Sequence, residues 1–364
     1  MPIISDVDYE ECEGLEFWTE DGEKEDFEGI SQDLRIGDKL YRHKPRSEPI
    51  GIDALSGDWE RFKNKYLEEV PVIEEDDRAP SVDTGAEKAW FIRPDDTYYT
   101  ETMEKVQLPE NFCLDVSSRS SWARYGIETQ NVEDALDEHK GYEGRIPLWI
   151  IPRDKPVVLR EKDSICQGVP YSKGRGWLMN DKLLEVYDRD GVDASTEGSD
   201  FIKVSPKSPS KSYYIELTLD DTVKKFTGEW IDPREDNSDK YEEIDIRNGG
   251  VVVEGDDFYL ASSKEKVELD DGYAGYLDSE SRIRGLMPDI VHANAPWIKP
   301  GFEGNIIFEI YSLIPQKTEK AEELHEGKNI GGFLLCALKN PCSNSYDSKY
   351  AGQEDVVTSK IHQE

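Results

Sequence analysis

Residues 93–121 read RPDDTYYTETMEKVQLPENFCLDVSSRSS, and residues 253–282 read VEGDDFYLASSKEKVELDDGYAGYLDSESR. At one constant offset Asp96 meets Asp257, Tyr98 meets Tyr259, Lys105 meets Lys266, Val106 meets Val267, Leu108 meets Leu269 and Ser120 meets Ser281. After a one-residue deletion the register resumes. KGYEGRIPLWI (140–150) aligns with PGFEGNIIFEI (300–310), so Gly141 meets Gly301, Glu143 meets Glu303 and Gly144 meets Gly304. Self-similarity of this kind marks a duplicated structural unit. The chain divides accordingly into an acidic arm (1–27), a first domain (28–192), a polar linker, DASTEGSDFIKVSPKSPSKS (193–212), and a second domain (213–364).

Both copies are written in strand vocabulary. KAWFIRP, TYYTETMEKVQLP, RIPLWIIP, SYYIELTL, NIIFEIYSLIP and GGFLLCALK carry β-branched and aromatic residues between Gly, Pro and Asp punctuation. Helical signals are few: GDWERFKNKYLEEV and KTEKAEELHEG. The fold class is mainly β, two tandem domains with few short helices.

The chain has 364 residues, a net charge of −35 and 36% hydrophobic content. That is enough apolar material for two packed cores. A field this negative repels nucleic acid and anionic membranes, and it suits a salty cytoplasm as well as an ordinary one. No apolar run approaches the ~20 residues of a membrane span. The N-terminal stretch has neither a basic region nor an apolar one, so it reads as an acidic, partly disordered arm and not as a leader. Five scattered cysteines fit a reducing cytoplasm better than a disulfide framework.

Two places carry candidate chemistry. Alternation along 305–311 puts Glu309 on the same face as Ile307 and Tyr311. It is either a strand-edge carboxylate in water or a buried general acid/base with a raised pKa. Arg119, Ser120, Ser121 and Arg124 fall where a strand should end. They are either a serine-rich turn paired to nearby acids or donors arranged for phosphate oxygens. No metal set is visible: His43, His139, His292, His325 and His362 do not cluster, and NPCSNS lacks the second cysteine of a zinc deaminase.

Taken together, these segments resemble the dCTP deaminase branch of the trimeric dUTPase superfamily. RSSWAR (119–124) resembles that family's Arg-Ser-Ser-x-Ala-Arg motif. APWIKPGFEGNIIFE (295–309) resembles its glycine hairpin and the strand with the catalytic glutamate. SYDSKYAGQ (345–353) is similar to its C-terminal closing segment, and SQDLRIGDKL (31–40) to its early strand. The resemblance implies two dUTPase-like β-barrel or jelly-roll domains. It also implies hydrolytic deamination of dCTP to dUTP and ammonia without a catalytic metal, with magnesium at most accompanying the triphosphate.

By that resemblance Glu309 is the proton carrier, and Ser120 and Arg124 position water and glutamate. Arg119, Ser121, Lys349 and Gln353 hold the triphosphate. Ala295 and the hairpin backbone read the pyrimidine edge beside Trp297, and Tyr346 and Tyr350 help close the lid. In the family these parts of one site come from different copies of the domain. Here Trp149 stands where the first copy would carry the glutamate, and Glu280 replaces the second copy's Arg119. One composite site between unlike halves follows, formed in a monomer or between chains of a homo-oligomer. Lys299 replaces the hairpin aspartate, which argues against dUTPase chemistry. The alternatives are a bifunctional deaminase–diphosphatase, a dUTPase, or a non-catalytic nucleotide-binding regulator; dTTP is a candidate inhibitor.

Overall fold

The computed structural model describes residues 3–363 except 26, 46–58, 86, 95, 133–140, 173–201, 206–213, 254–256, 280–289, 292–294, 313–322, 339 and 344–348. Strands dominate, and the duplication is visible bond by bond. Tyr98–Leu108 pairs antiparallel with Tyr142–Pro152, setting Tyr99 opposite Trp149. Phe258–Leu269 pairs the same way with Glu303–Ser312, setting Leu260 opposite Glu309. Both ladders slip at the equivalent place, between Glu101 and Lys105 and between Ser262 and Lys266.

A slip of this kind leaves backbone groups without a ladder partner, and buried groups need one. Each half supplies a hydroxyl. Thr102 Oγ1 donates to Glu104 O and accepts from Ile146 N. Ser263 Oγ donates to Glu265 O and accepts from Ile306 N. The adjoining buried glutamates are matched too. Glu104 accepts from Arg35 through backbone and guanidinium, and Glu265 from Thr218 through backbone and hydroxyl. A second ladder repeats as well: Phe112–Ser118 against Ser164–Ser172, and Tyr273–Ser279 against Asn329–Ala337.

Strand alternation then fills two cores. Ile146, Leu148 and Ile150 join the first, with Trp122, Ile92 and Val116. Ile306, Phe308 and Ile310 join the second, with Leu217, Val267 and Phe333. The halves interlock. Phe226 and Ile231 of the second half lie in the first core, and Ile231 N donates to Pro156 O. The buried Arg160 guanidinium forms a two-pronged pair with Asp232, both contacts at 2.8 Å. A third cluster, containing Ile3, Ile30 and Val169 with Ala274, Trp297 and Leu338, closes the seam.

The expectation of a partly disordered arm is corrected. Ile3, Ile4, Tyr9, Leu15 and Phe17 are buried, and Glu16–Trp18 adds a strand beside Tyr98–Leu108. The arm's acids are used structurally. Asp8 accepts from the Asn340 side-chain amide at 2.7 Å, and Asp6 from the Ser343 hydroxyl at 2.7 Å. These bonds tie the first half to the end of the second. Charge composition hid this because the apolar residues are spaced between carboxylates.

Of GDWERFKNKYLEEV, 57–58 lie outside the described residues, Trp59–Tyr66 is helix, and the chain continues as the strand Leu67–Glu69. Of KTEKAEELHEG, 317–322 lie outside the described residues, and Glu323–Leu324 is a short strand, not helix. Of the linker stretch, Ile202–Ser205 pairs with Phe258–Leu269; 193–201 and 206–212 lie outside the described residues. Among the described residues no helix is long and apolar enough to cross a membrane.

Candidate active site

Beyond Ser118 the strand Phe112–Ser118 gives way to a single helical turn, Ser120–Ala123. Trp122 and Ala123 anchor that turn in the core. Anchoring two residues fixes the directions of their neighbours: Arg119, Ser120, Ser121 and Arg124 all face a cavity of about 810 Å³. The opposite wall comes from the second half. The hairpin Trp297–Ile298, Lys299 and Pro300 lines it, and so do Ile307 and Glu309 of the strand Glu303–Ser312.

Of the eleven residues singled out in the sequence, ten line this cavity: Arg119, Ser120, Ser121, Arg124, Ala295, Trp297, Glu309, Lys349, Tyr350 and Gln353. Tyr346 lies outside the described residues, as do Glu280 and Ser281. Glu309 is 3% exposed, between Ile307 and Tyr311, which pack together in an apolar cluster with Phe258 and Leu260. It is a buried carboxylate and not a strand-edge residue in water. Farther along the same face, Tyr311 donates to Glu128 of the first half at 3.2 Å, and Glu128 pairs with Arg153. The strand that carries Glu309 is therefore held from both sides.

The C-terminal segment lies along the hairpin. Gly352 N donates to Glu303 O and Asn305 N to Gln353 O, both at 2.8 Å. Gly304 makes this possible. Its φ is +147°, and a Cβ there would stand 2.9 Å from Gln353 O, a conformation and a space open only to glycine. Gln353 and Val357 both accept from Arg124, at 3.1 and 2.8 Å. The Arg124 guanidinium lies over the Tyr350 ring at 3.9 Å, and Tyr350 donates to Ser121 Oγ at 3.2 Å. The tail of the second half is thus fastened to the serine-arginine turn of the first.

Trp297 faces the cavity while its indole N–H donates to Asp115 of the first half at 2.6 Å, with Tyr276 edge-on to it. Sequence reasoning missed Glu28, Asp33 and Gln167, which also line the cavity. Asp33 stands within the quoted early strand, but nothing in its spacing announces the ion pair it makes with Arg119 at 3.0 Å. Burial pushes the Lys299 ammonium below its ordinary pKa, and Asp33 acts against that shift. Among the described residues no three His, Cys, Asp or Glu side chains converge as a metal-binding set.

At the matching place in the first half Trp149 is partly buried and packs against the cluster of Trp59, Phe62, Leu67 and Tyr99, two of which come from the helix Trp59–Tyr66.

A model of the dCTP deaminase-like family matches residues 13–169 and 197–333. The dCTP deaminase of Thermomicrobium roseum is 31% identical over 191 residues, which cover 49% of this chain and 93% of that protein. The dUMP-forming dCTP deaminase of Aquifex aeolicus is 26% identical over 174 residues, 44% of this chain and 87% of that one. Nearly the whole of each relative thus matches about half of this chain. The crystal structure of 2′-deoxycytidine 5′-triphosphate deaminase from Agrobacterium tumefaciens matches 94% of this chain and 99% of its own, with a TM-score of 0.67 at 20% identity; at that identity it speaks for the fold. With a family match in each half, on a shared β architecture, this chain belongs to the dCTP deaminase-like family.

Proposed function

We propose that this protein hydrolyses dCTP to dUTP and ammonia, supplying dUTP for dTTP synthesis, at one site built from the unlike halves of a single chain. The observation that carries the reading is the meeting of Arg119–Arg124 from the first half with Glu309 and Lys349–Gln353 from the second on one cavity. Water adds at C4 of the cytosine. Glu309 takes the water's proton and passes it to N3. It then moves the hydroxyl proton of the adduct to the amine, which leaves as ammonia with C4 now a carbonyl. Ser120 and Arg124 position the water and the glutamate.

Arg119, Ser121, Lys349 and Gln353 hold the phosphates through charge-assisted bonds. Ala295 and the hairpin backbone read the base beside Trp297. Tyr350, already bonded to Ser121, closes the lid. Magnesium enters only as a companion of the triphosphate, and dTTP as an inhibitor. The aromatic filling around Trp149 is consistent with a reciprocal site that does no work.

The Aquifex relative is named as dUMP-forming, so the rival product is dUMP with diphosphate. Lys299 favours dUTP. It places a cation in the hairpin, where cleavage of the phosphate chain would need a group that activates water. The test is to follow ammonia, dUTP, dUMP and diphosphate from dCTP, with Glu309→Gln as the control. Ammonia with dUTP is expected. Diphosphate without dUTP would remove the product assignment, and equal ammonia from Glu309→Gln would remove the enzyme reading itself.

A further inference from the structure

The strand Phe112–Ser118 runs into the serine-arginine turn, and it has a second use before that turn. Every residue of it is buried except Asp115, which is partly buried. Asp115 Oδ2 accepts from the Trp297 indole N–H at 2.6 Å, across the seam between the halves. Trp297 stands opposite Tyr276 in a short ladder, and the two rings meet edge to face at 4.9 Å. It packs in one cluster with Ile3, Ile30 and Val169 of the first half, and it lines the cavity beside Ala295 and Ile298. The strand that carries it, Trp297–Ile298, is only two residues long, so its ladder restrains a large ring weakly. A buried indole needs an acceptor for its N–H. A backbone carbonyl supplies one without desolvating a charge. A carboxylate is the costlier choice, and it gives the shorter and stronger bond.

We propose that Asp115 is a positioning residue for base recognition: by holding the Trp297 indole from the other half, it fixes the wall against which the cytosine ring is placed. This rests on the reading of the cavity as the dCTP site. One strand of the first half then sets both ends of the substrate. Asp115 fixes the wall at the base end, and Arg119 and Ser121, just beyond the same strand, reach the phosphates at the other. The first half thus takes part in reading the base, although Trp297 and Ala295 belong to the second. Positioning of this kind matters because a small displacement of a bound ring is felt strongly in affinity and rate. A tie that merely closes the seam predicts something else: it acts on stability, and on every ligand alike.

The experiment measures binding of dCTP and of inorganic triphosphate by calorimetry in Glu309→Gln protein, so that nothing turns over. Asp115→Leu should weaken dCTP about tenfold, the scale of one charge-assisted bond, and leave triphosphate within about twofold. Asp115→Asn keeps an acceptor for the indole and should recover most of the dCTP affinity. Trp297→Phe keeps a ring and removes the donor. It should weaken dCTP selectively as well, and adding Asp115→Leu to it should weaken dCTP no further. Equal losses for the two ligands, unchanged dCTP binding by Asp115→Leu, or additive losses in the double variant overturn the proposal while the dCTP reading stands. Should Asp115→Leu not fold, Trp297→Phe decides: dCTP bound as tightly as by the Glu309→Gln parent overturns the proposal. If that parent does not bind dCTP, the dCTP reading falls and this inference with it.

Discussion

Glu309 and Trp149 occupy the same rung of the same ladder. One faces Leu260 and the other Tyr99, each on a strand that has slipped at the same bulge. The backbone of the duplicated unit treats the two positions alike, down to the hydroxyls of Thr102 and Ser263 that repair the bulge. Only the side chains differ, and with them everything around. In the second half the strand lies beneath the tail 349–353 and meets the serine-arginine turn of the other half. In the first Trp149 packs against an aromatic cluster that includes Trp59 and Phe62 of the helix Trp59–Tyr66. A ladder can be inherited intact while the face it presents is turned from a polar cavity into a small aromatic cluster.

That comparison is broken most severely at its two central residues. Glu309→Gln should lower kcat for ammonia release by about 10³-fold, the scale of a lost general acid/base, while circular dichroism and melting stay close to the parent. Trp149→Glu should create no second site. A carboxylate among Trp59, Phe62, Leu67 and Tyr99 should instead cost on the order of a few kcal/mol, read by denaturant unfolding. Recovered deamination in a Glu309→Gln, Trp149→Glu double variant would show that the two faces are more alike than the packing says.

The seam between the halves gives the next largest effect. Arg160 and Asp232 are both nearly without solvent contact, 2% and 5% exposed at the side chain. Arg160→Met strands a buried carboxylate and should cost about 3–5 kcal/mol. Adding Asp232→Asn should restore much of that loss, because the stranded charge is then gone. A single variant as stable as the parent would mean that the tie does not hold the halves.

The duplicated ladders, the mainly-β class and most of the cavity's residues were legible because each rests on local spacing. Alternation placed Glu309 on the Ile307 and Tyr311 face. Matched glycines placed the hairpin, with φ of +76° and +75° at Gly141 and Gly301. What was illegible depends on approach across the seam. Asp33 and Glu28 enter the cavity only because the arm and the early strand pack beside the other half's hairpin. The arm itself looked like a solvated acidic tail. Its order comes from apolar residues such as Ile3 and Phe17 and from bonds to Asn340 and Ser343, over three hundred residues away. No local pattern encodes such partners.

One turn, repeated in both halves, separates them by the sign of a pH response. Asp163 N donates to Arg160 O in the first turn, and Lys328 N to His325 O in the second. Burial raises Asp163 from 3.8 to about 7, although its carboxylate accepts from Arg160 N. The folded chain then keeps a proton that the unfolded chain releases. The contribution of this group to stability therefore rises as pH falls from about 7 toward 4 and is lost as pH rises through that window.

Asp154, raised to about 6 by burial, acts in the same direction. Lys328 is lowered from 10.5 to about 8 by burial. Here the unfolded chain holds the proton longer, so its contribution falls as pH drops from about 10.5 to 8. Unfolding free energies measured across pH should show both slopes, each at most about 1.4 kcal/mol per pH unit per group. Asp163→Asn should reduce the acid-side slope to the part that Asp154 contributes and leave the alkaline one, and Lys328→Gln should flatten the alkaline slope alone. A slope undiminished by its own substitution would assign it to another group.

The smallest effect sits at the tip of that same turn. Lys162 N donates to Ile36 O and Gly327 N to Leu219 O, so the two tips make equivalent bonds. The backbone angle is equivalent as well, φ of +72° at Lys162 and +74° at Gly327. A residue with a Cβ pays about 1–2 kcal/mol in that left-handed region, which the second half avoids by using glycine. Lys162→Gly removes the strain, but it also frees the unfolded chain, at a cost of about 0.5–1 kcal/mol. The difference predicts a gain of at most about 1 kcal/mol, read as a small rise in unfolding midpoint with unchanged slope. The converse, Gly327→Lys, should lose stability by a comparable or larger amount, since nothing stands within 4 Å of a Cβ there and strain is the main local penalty. If Lys162→Gly were destabilising by more than the entropy term, the lysine would have to be making a contact that offsets its strained angle, and the two turns would be equivalent in backbone only.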